Sequence, residues 1–183
     1  MAVANRGGRG YDSPAVDDDL LPPERKVLEA LGDLPLDFRA MAAVSNLFRA
    51  SAAVRRHMER RVLAADRLSW TSFVVLWVLW VWGDMEARDL AAAVGISRPT
   101  STGVVTTLER RGWVRRTRNA TDGRMVRVSL TPEGRKKIET LFPRFNEEEV
   151  AVTERLSPGH QEQLASMLRT MLRTVAPEPP ARA

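Results

Sequence analysis

Apolar residues return along this chain at two distinct periods, and the change of period divides it. Between residues 36 and 65, Met41, Val44, Phe48, Val54, Met58 and Val62 recur mostly three or four apart with arginines between them, the spacing of one face of a long helix. Residues 22–31 (PPERKVLEAL) predict a shorter helix ahead of it, stopped by Gly32. Ser69 stands as N-cap before an apolar segment that runs to Trp82 and breaks at Gly83-Asp84. ARDLAAAV (87–94) predicts a further helix closed by Gly95. Ser97 opens the next, to about Arg111, with Pro99 tolerated in its first turn and Gly112 as its stop.

The period then shortens to two. Residues 113–118 (WVRRTR) and 125–130 (MVRVSL) are short β-branched runs around NATDGR, whose Asp122-Gly123 pair signals a hairpin turn. Thr131-Pro132 opens another helix, which Pro143 is expected to kink or divide. Ser157-Pro158 opens the last, where Leu164, Met167, Leu168, Met171, Leu172 and Val175 form one apolar stripe. Two short helices joined by a tight turn and followed at once by a basic hairpin predict a winged helix-turn-helix. The fold class is mainly α with a small β-hairpin wing. The expected organisation is a flexible extension (1–21), N-terminal dimerisation helices (22–66), a winged helix-turn-helix DNA-binding domain (67–135), C-terminal dimerisation helices (136–176) and a tail (177–183).

Composition narrows the chemistry. The 183 residues are 44% apolar and 28% charged, a globular balance. The absence of cysteine excludes disulfides, thiolate zinc sites and iron–sulfur clusters. Only two histidines are present, and no phosphate loop, Gly-rich dinucleotide turn or nucleophile elbow occurs. The sequence therefore reads as a non-enzyme with no metal and no cofactor. The first residues carry no apolar leader. The longest apolar run, Phe73–Trp82, spans about 15 Å as a helix, half the roughly 30 Å of a bilayer core, which predicts a buried helix, no membrane partner and a cytoplasmic location.

Charge points to the partner. The chain carries +5, yet residues 95–140 hold eleven cations against four anions, a local +7 that leaves −2 for the rest. Such a concentrated basic segment is the footprint of double-stranded DNA. Twenty-five of the 28 cations are arginine, suited to forked contacts with phosphate and guanine, although a GC-rich genome biases codons the same way. At about 100° per residue, Ser101, Val104, Val105 and Leu108 share one side of the 98–111 helix. Pro99, Thr102, Gly103, Thr106 and Arg110 share the opposite side, which is small, hydroxylated and cationic. With Arg98 and Thr100 at the helix start, these form the candidate recognition surface. Arg116, Arg118, Asp122, Arg124 and Arg127 form the candidate wing surface, with Arg124 suited to a minor groove and Asp122 expected to hold Arg115 or Arg116.

Four motifs resemble the MarR family of bacterial transcriptional regulators: Leu68, Phe73, Val75 and Leu76; DLAAAVGISRPTSTGVVTTLERRGWVRR; Asp122-Gly123-Arg124; and VRVSLTPEG ending at Gly134. The resemblance extends to the flanking helices. It implies a symmetric homodimer with intertwined terminal helices, a pseudo-palindromic operator, and in many members release by small, often aromatic or phenolic ligands. Two positions depart from the family pattern: Gly123 stands where the wing tip usually has arginine, and Gly103 where the recognition helix often has one. The N-terminal extension is similar to that of the urate-responsive branch, but Val74 replaces that branch's acidic residue, so urate is not expected.

Trp70, Trp77, Trp80 and Trp82 lie within thirteen residues. Core packing accounts for such a stripe, and so does an aromatic-walled slot for a planar ligand. The slot reading names Phe48, Arg49, Arg55, Trp70, Phe73 and Trp77, the arginines pairing with an acidic ligand. The expected function is a homodimeric repressor released by a small aromatic or acidic effector. The alternatives are a winged-helix regulator without an effector and a winged helix used for protein contact. His57 is expected on the surface among Arg55, Arg56 and Arg60.

Overall fold

The computed structural model describes residues 20–118 and 126–175. Most of the N-terminal extension, the Asp122-Gly123 turn with Arg124, and the 177–183 tail lie outside the described residues. The chain forms two compact units, residues 1–51 and 52–183.

In the first unit α1 spans Pro22–Leu31. One Glu24 carboxylate oxygen accepts the Leu21 N–H at 2.9 Å and the other accepts from Asn46 Nδ2 at 2.8 Å. α2 spans Phe38–Met58 and runs on into the second unit. It begins two residues later than the apolar spacing suggested, because Asp37 Oδ1 accepts the N–H groups of Arg39 and Ala40 at 3.1 and 3.0 Å and caps the helix there. Nor does the α-helix reach residue 65. It passes at Glu59 into a π turn, Glu59–Leu63, then a 3₁₀ turn, Ala64–Asp66. The wider turn lets Leu63 join Met58 and Val62 on the buried face. Arg67 closes the segment in the left-handed region at φ 49°.

The second unit is built around α3 (Trp70–Trp82), which Ser69 caps by accepting the Ser72 N–H at 3.2 Å. Gly83, at φ 80°, ends it, as the sequence indicated. Phe73, Val75, Leu76, Val78 and Leu79 are all buried, because α3 packs against α4 (Ala87–Val94), α5 (Arg98–Arg110) and α6 (Pro132–Thr153). The sheet is antiparallel in the order β1-β3-β2, with β2 at Val114–Arg118 and β3 at Val126–Leu130. Its third strand, β1 (Met85–Glu86), pairs Met85 with Val128 and was not foreseen; two residues are too few to show a period. Leu90, Val105, Leu108, Val114, Val128, Ile138 and Leu141 complete the core.

Pro143 does not divide α6, which continues from Pro132 to Thr153. Pro143 and Glu139 are both exposed, so the carbonyl that loses its intrahelical donor faces water. His57 is not a free surface residue. It is half-buried, with Nε2 2.6 Å from Glu148 Oε2 on α6, while Arg61 Nε lies 3.4 Å from the other oxygen. The hydrogen bond from His57 holds the Glu148 carboxyl below its ordinary value of 4.5, against its partial desolvation and with help from Arg61. α7 (Pro158–Val175) has no buried residue; Leu164, Met167, Leu172 and Val175 on its apolar stripe stand exposed. No single helix among the described residues is long and apolar enough to cross a membrane.

Candidate nucleic-acid interface

α4 and α5 meet through a turn whose geometry is local chemistry. Gly95 sits at φ 72°, and the Ile96 N–H donates to the Ala91 carbonyl at 3.0 Å, closing α4. Ser97 then accepts the Thr100 N–H at 3.3 Å and opens α5. The faces of α5 divide as the angular spacing indicates. Ser101, Val105 and Leu108 are buried, whereas Arg98, Pro99, Thr100, Thr102, Gly103 and Arg110 are exposed and Thr106 is half-buried. A Cβ at Gly103 would meet no atom within 4 Å, so this stretch of backbone is open to a partner.

The hydroxyls on this helix are already engaged. Thr102 Oγ1 donates to the Arg98 carbonyl at 3.0 Å, Thr106 Oγ1 to the Thr102 carbonyl at 2.8 Å, and Thr107 Oγ1 to the Gly103 carbonyl at 3.0 Å. Charged donors on the exposed face come from Arg98 and from Arg110, whose Nη2 lies 3.5 Å from Thr107 Oγ1.

The wing is tied to α5 by residues the sequence reading assigned elsewhere. Arg116 Nη1 donates to Glu109 Oε2 at 3.2 Å, and its backbone N–H donates to Glu109 Oε1 at 3.1 Å. Arg116 Nη2 donates to the Thr102 carbonyl at 2.9 Å and to Thr106 Oγ1 at 2.6 Å. Arg115 Nε donates to Ser129 Oγ at 3.0 Å across the hairpin. Arg118 and Arg127 are exposed on β2 and β3, facing each other's strand one register apart. Asp122 and Arg124 lie outside the described residues.

Not every cation of the basic segment is available for phosphate. Arg111 donates to the Asp66 and Arg67 carbonyls at 2.9 and 2.8 Å and lies 5.0 Å from the Trp113 ring centroid. Lys137 pairs with Asp66 and lies 5.5 Å from the same ring. At the foot of the wing, Thr131 Oγ1 donates to the Gly112 carbonyl at 2.6 Å and accepts the Gly134 N–H at 3.0 Å. A Cβ on Gly134 would fall 1.9 Å from the Trp113 carbonyl oxygen, so only glycine allows α6 to start so close to the wing.

The aromatic candidates are packed chiefly against one another. Phe73, 4% exposed, stacks on Phe145 at 4.2 Å, and Trp70 tilts against both at 6.2 and 6.0 Å. Trp77 contacts Trp82 at 6.3 Å and Trp80 contacts Phe142 at 5.4 Å. Arg55 Nε lies 3.3 Å from Glu59 Oε1, which also accepts the Trp70 backbone N–H at 3.4 Å. Arg55, Trp70 and Phe73 thus fall in one neighbourhood. Phe48, 72% exposed, and Arg49, which donates to Asn46 Oδ1 at 3.1 Å, belong to the first unit.

Comparison with known proteins gives a consistent picture. The MarR family profile matches residues 68–126. An uncharacterised HTH-type transcriptional regulator of Bacillus subtilis, YwaE, is 36% identical over 80% of this chain and 87% of its own length. Among solved structures, Bordetella bronchiseptica BpsR, described as regulated in DNA binding by 6-hydroxynicotinic acid, is 26% identical with a TM-score of 0.65, covering 70% of this chain and 98% of its own. Staphylococcus aureus MepR, in its complex with DNA, is 27% identical with a TM-score of 0.64, covering 72% and 97%.

Proposed function

Because the chain belongs to the MarR family of winged-helix transcriptional regulators, DNA-binding proteins rather than enzymes, we propose that it is a cytoplasmic homodimeric repressor that binds a pseudo-palindromic operator and is released by a small aromatic or acidic ligand. The observation that carries this reading is the exposed face of α5. Arg98 and Arg110 bracket a stretch of small side chains with open backbone at Gly103, and the wing is fastened beside it through Arg116. Small side chains permit close approach to a major groove, and the two arginines supply donors for guanine edges or phosphates. Arg118 and Arg127, exposed on β2 and β3, extend the surface towards the flanking backbone, and Arg124 is the residue assigned to the minor groove from the sequence alone.

A second copy of the chain covers the exposed stripe of α7, which a monomer would leave wet. Two-fold symmetry then sets half-sites about one helical turn apart, roughly 10 bp. The effector reading rests on the aromatic neighbourhood of Trp70 and Phe73 beside Arg55, and on BpsR, whose DNA binding is described as regulated by an aromatic acid. The ring packing of α3 on α6 also favours a regulator with no effector, since these contacts account for the aromatics as core.

Gel shift with the DNA flanking the chain's own gene tests the reading. A shifted complex is expected, with affinity that falls steeply with salt as counterions are released. No shift at low salt with any promoter fragment overturns it. A library of aromatic acids, read by tryptophan fluorescence and by loss of the shifted band, decides between the effector and effector-free forms.

A further inference from the structure

We propose that Thr106 reads DNA through its methyl group, and that Arg116 of the wing is the positioning residue that fixes this reading. The proposal rests on the DNA-binding function above and specifies its chemistry. A threonine side chain offers one hydroxyl hydrogen, two oxygen lone pairs and one methyl. In Thr106 the hydrogen goes to the Thr102 carbonyl at 2.8 Å, and the oxygen receives Arg116 Nη2 at 2.6 Å. No hydrogen remains for a phosphate oxygen or a base acceptor. Turning the hydroxyl outward would break both bonds at once, and Arg116 is itself held by Glu109 and by the Thr102 carbonyl.

The consequence is a division within α5. Guanine, which shows acceptors to the major groove, falls to the arginines. Thr106 is half-buried on this face with its oxygen engaged, which leaves its methyl as the group to meet DNA, and the partner for a methyl there is the C5 methyl of thymine. Arg116, although it stands in the basic segment, acts through Thr106 rather than on phosphate.

The test uses the full chain and a duplex it selects from a randomised pool. Each thymine of the half-site is replaced in turn by deoxyuridine, which lacks only the C5 methyl. At one thymine per half-site the replacement weakens wild-type binding about fivefold or more. Thr106→Val, which drops the hydroxyl but whose branched side chain the helix itself confines to one rotamer, needs no hold from Arg116, stays within about twofold of wild type and remains sensitive to that replacement. Thr106→Ser, which keeps the hydroxyl and drops the methyl, loses as much as the uracil substitution and is indifferent to it. Arg116→Ala leaves the salt dependence of binding unchanged but loses the uracil sensitivity.

Thr106→Val losing as much as Thr106→Ser overturns the methyl reading, as does a selected sequence with no uracil-sensitive thymine. A salt slope lowered by about one in Arg116→Ala makes that residue a phosphate contact and overturns its positioning role. A pool that yields no selected sequence overturns sequence-specific DNA binding itself. Circular dichroism at the assay temperature confirms that each variant is folded.

Discussion

The winged-helix lobe and the C-terminal helix α7 are made of similar residues and are finished to different degrees. In the lobe, Leu76, Leu90, Leu108, Val128 and Ile138 are fully buried, and three of its cations, Arg111, Arg116 and Lys137, reach back to its own carbonyls and carboxylates. On α7, Leu172 and Val175 are 60% and 77% exposed and no residue is buried. The lobe closes on itself, whereas the apolar stripe of α7 is left uncovered. A stripe of leucine and methionine at helical spacing therefore does not say whether its partner is the same chain or another copy.

The comparison breaks most sharply at Gly134. Gly134→Ala forces a Cβ against the Trp113 carbonyl oxygen, and denaturant titration is expected to show a loss of about 3 kcal/mol, the upper range for overpacking. Unchanged stability would mean that the lobe is not closed at the foot of the wing. The unfinished side answers differently. Leu172→Glu on α7 is expected to keep helical circular dichroism while moving the sedimenting species from dimer to monomer, and to remove the rise of Tm with protein concentration. A wild-type monomer at micromolar concentration would show that α7 needs no partner.

A smaller effect is expected where the lobe's own surface is open. Nothing lies within 4 Å of a Cβ built on Gly103, so Gly103→Ala should stabilise the free protein by about 1 kcal/mol in thermal melts and weaken operator binding. A higher Tm with unchanged affinity would show that DNA does not come close there. The smallest effect concerns Glu148. Its carboxyl is held below 4.5 by His57, so the pair's contribution is present above that pH and is lost as pH falls through the lowered folded value. Glu148→Gln should lower stability slightly at neutral pH and flatten the acid limb, so that the variant and wild type converge as pH falls below about 4.5; an identical acid limb would remove the pair from the account.

Much of the fold was legible because its signals are local. Ser69, Gly83, Gly95, Ser97, Gly112 and Thr131 act within three or four residues of themselves, and the structure places helix or strand ends at each. The interface was legible as a face but not as a network. Charge counting treated Arg111, Arg116 and Lys137 as equivalent to Arg98, while the structure gives the first three carbonyl, carboxylate or hydroxyl partners. Lys137 meets Asp66 across 71 positions and His57 meets Glu148 across 91, distances at which residue spacing carries no information. Glu109 and Arg116 are seven positions apart, but the glycine turn at Gly112 falls between them, so neither helical nor strand periodicity pairs them.

The continuity of α6 has a mechanical meaning. Its 22 residues run from the foot of the wing at Pro132 to Thr153, about 33 Å end to end. A rod of that length turns a tilt of about 5° at one end into a displacement of about 3 Å at the other. Pro143, exposed near its midpoint, removes one hydrogen bond without dividing the helix. Its far half is steadied by Phe145 in the core and by Glu148 between His57 and Arg61. A tilt at the foot of the wing would thus be carried along the helix axis and magnified at its far end.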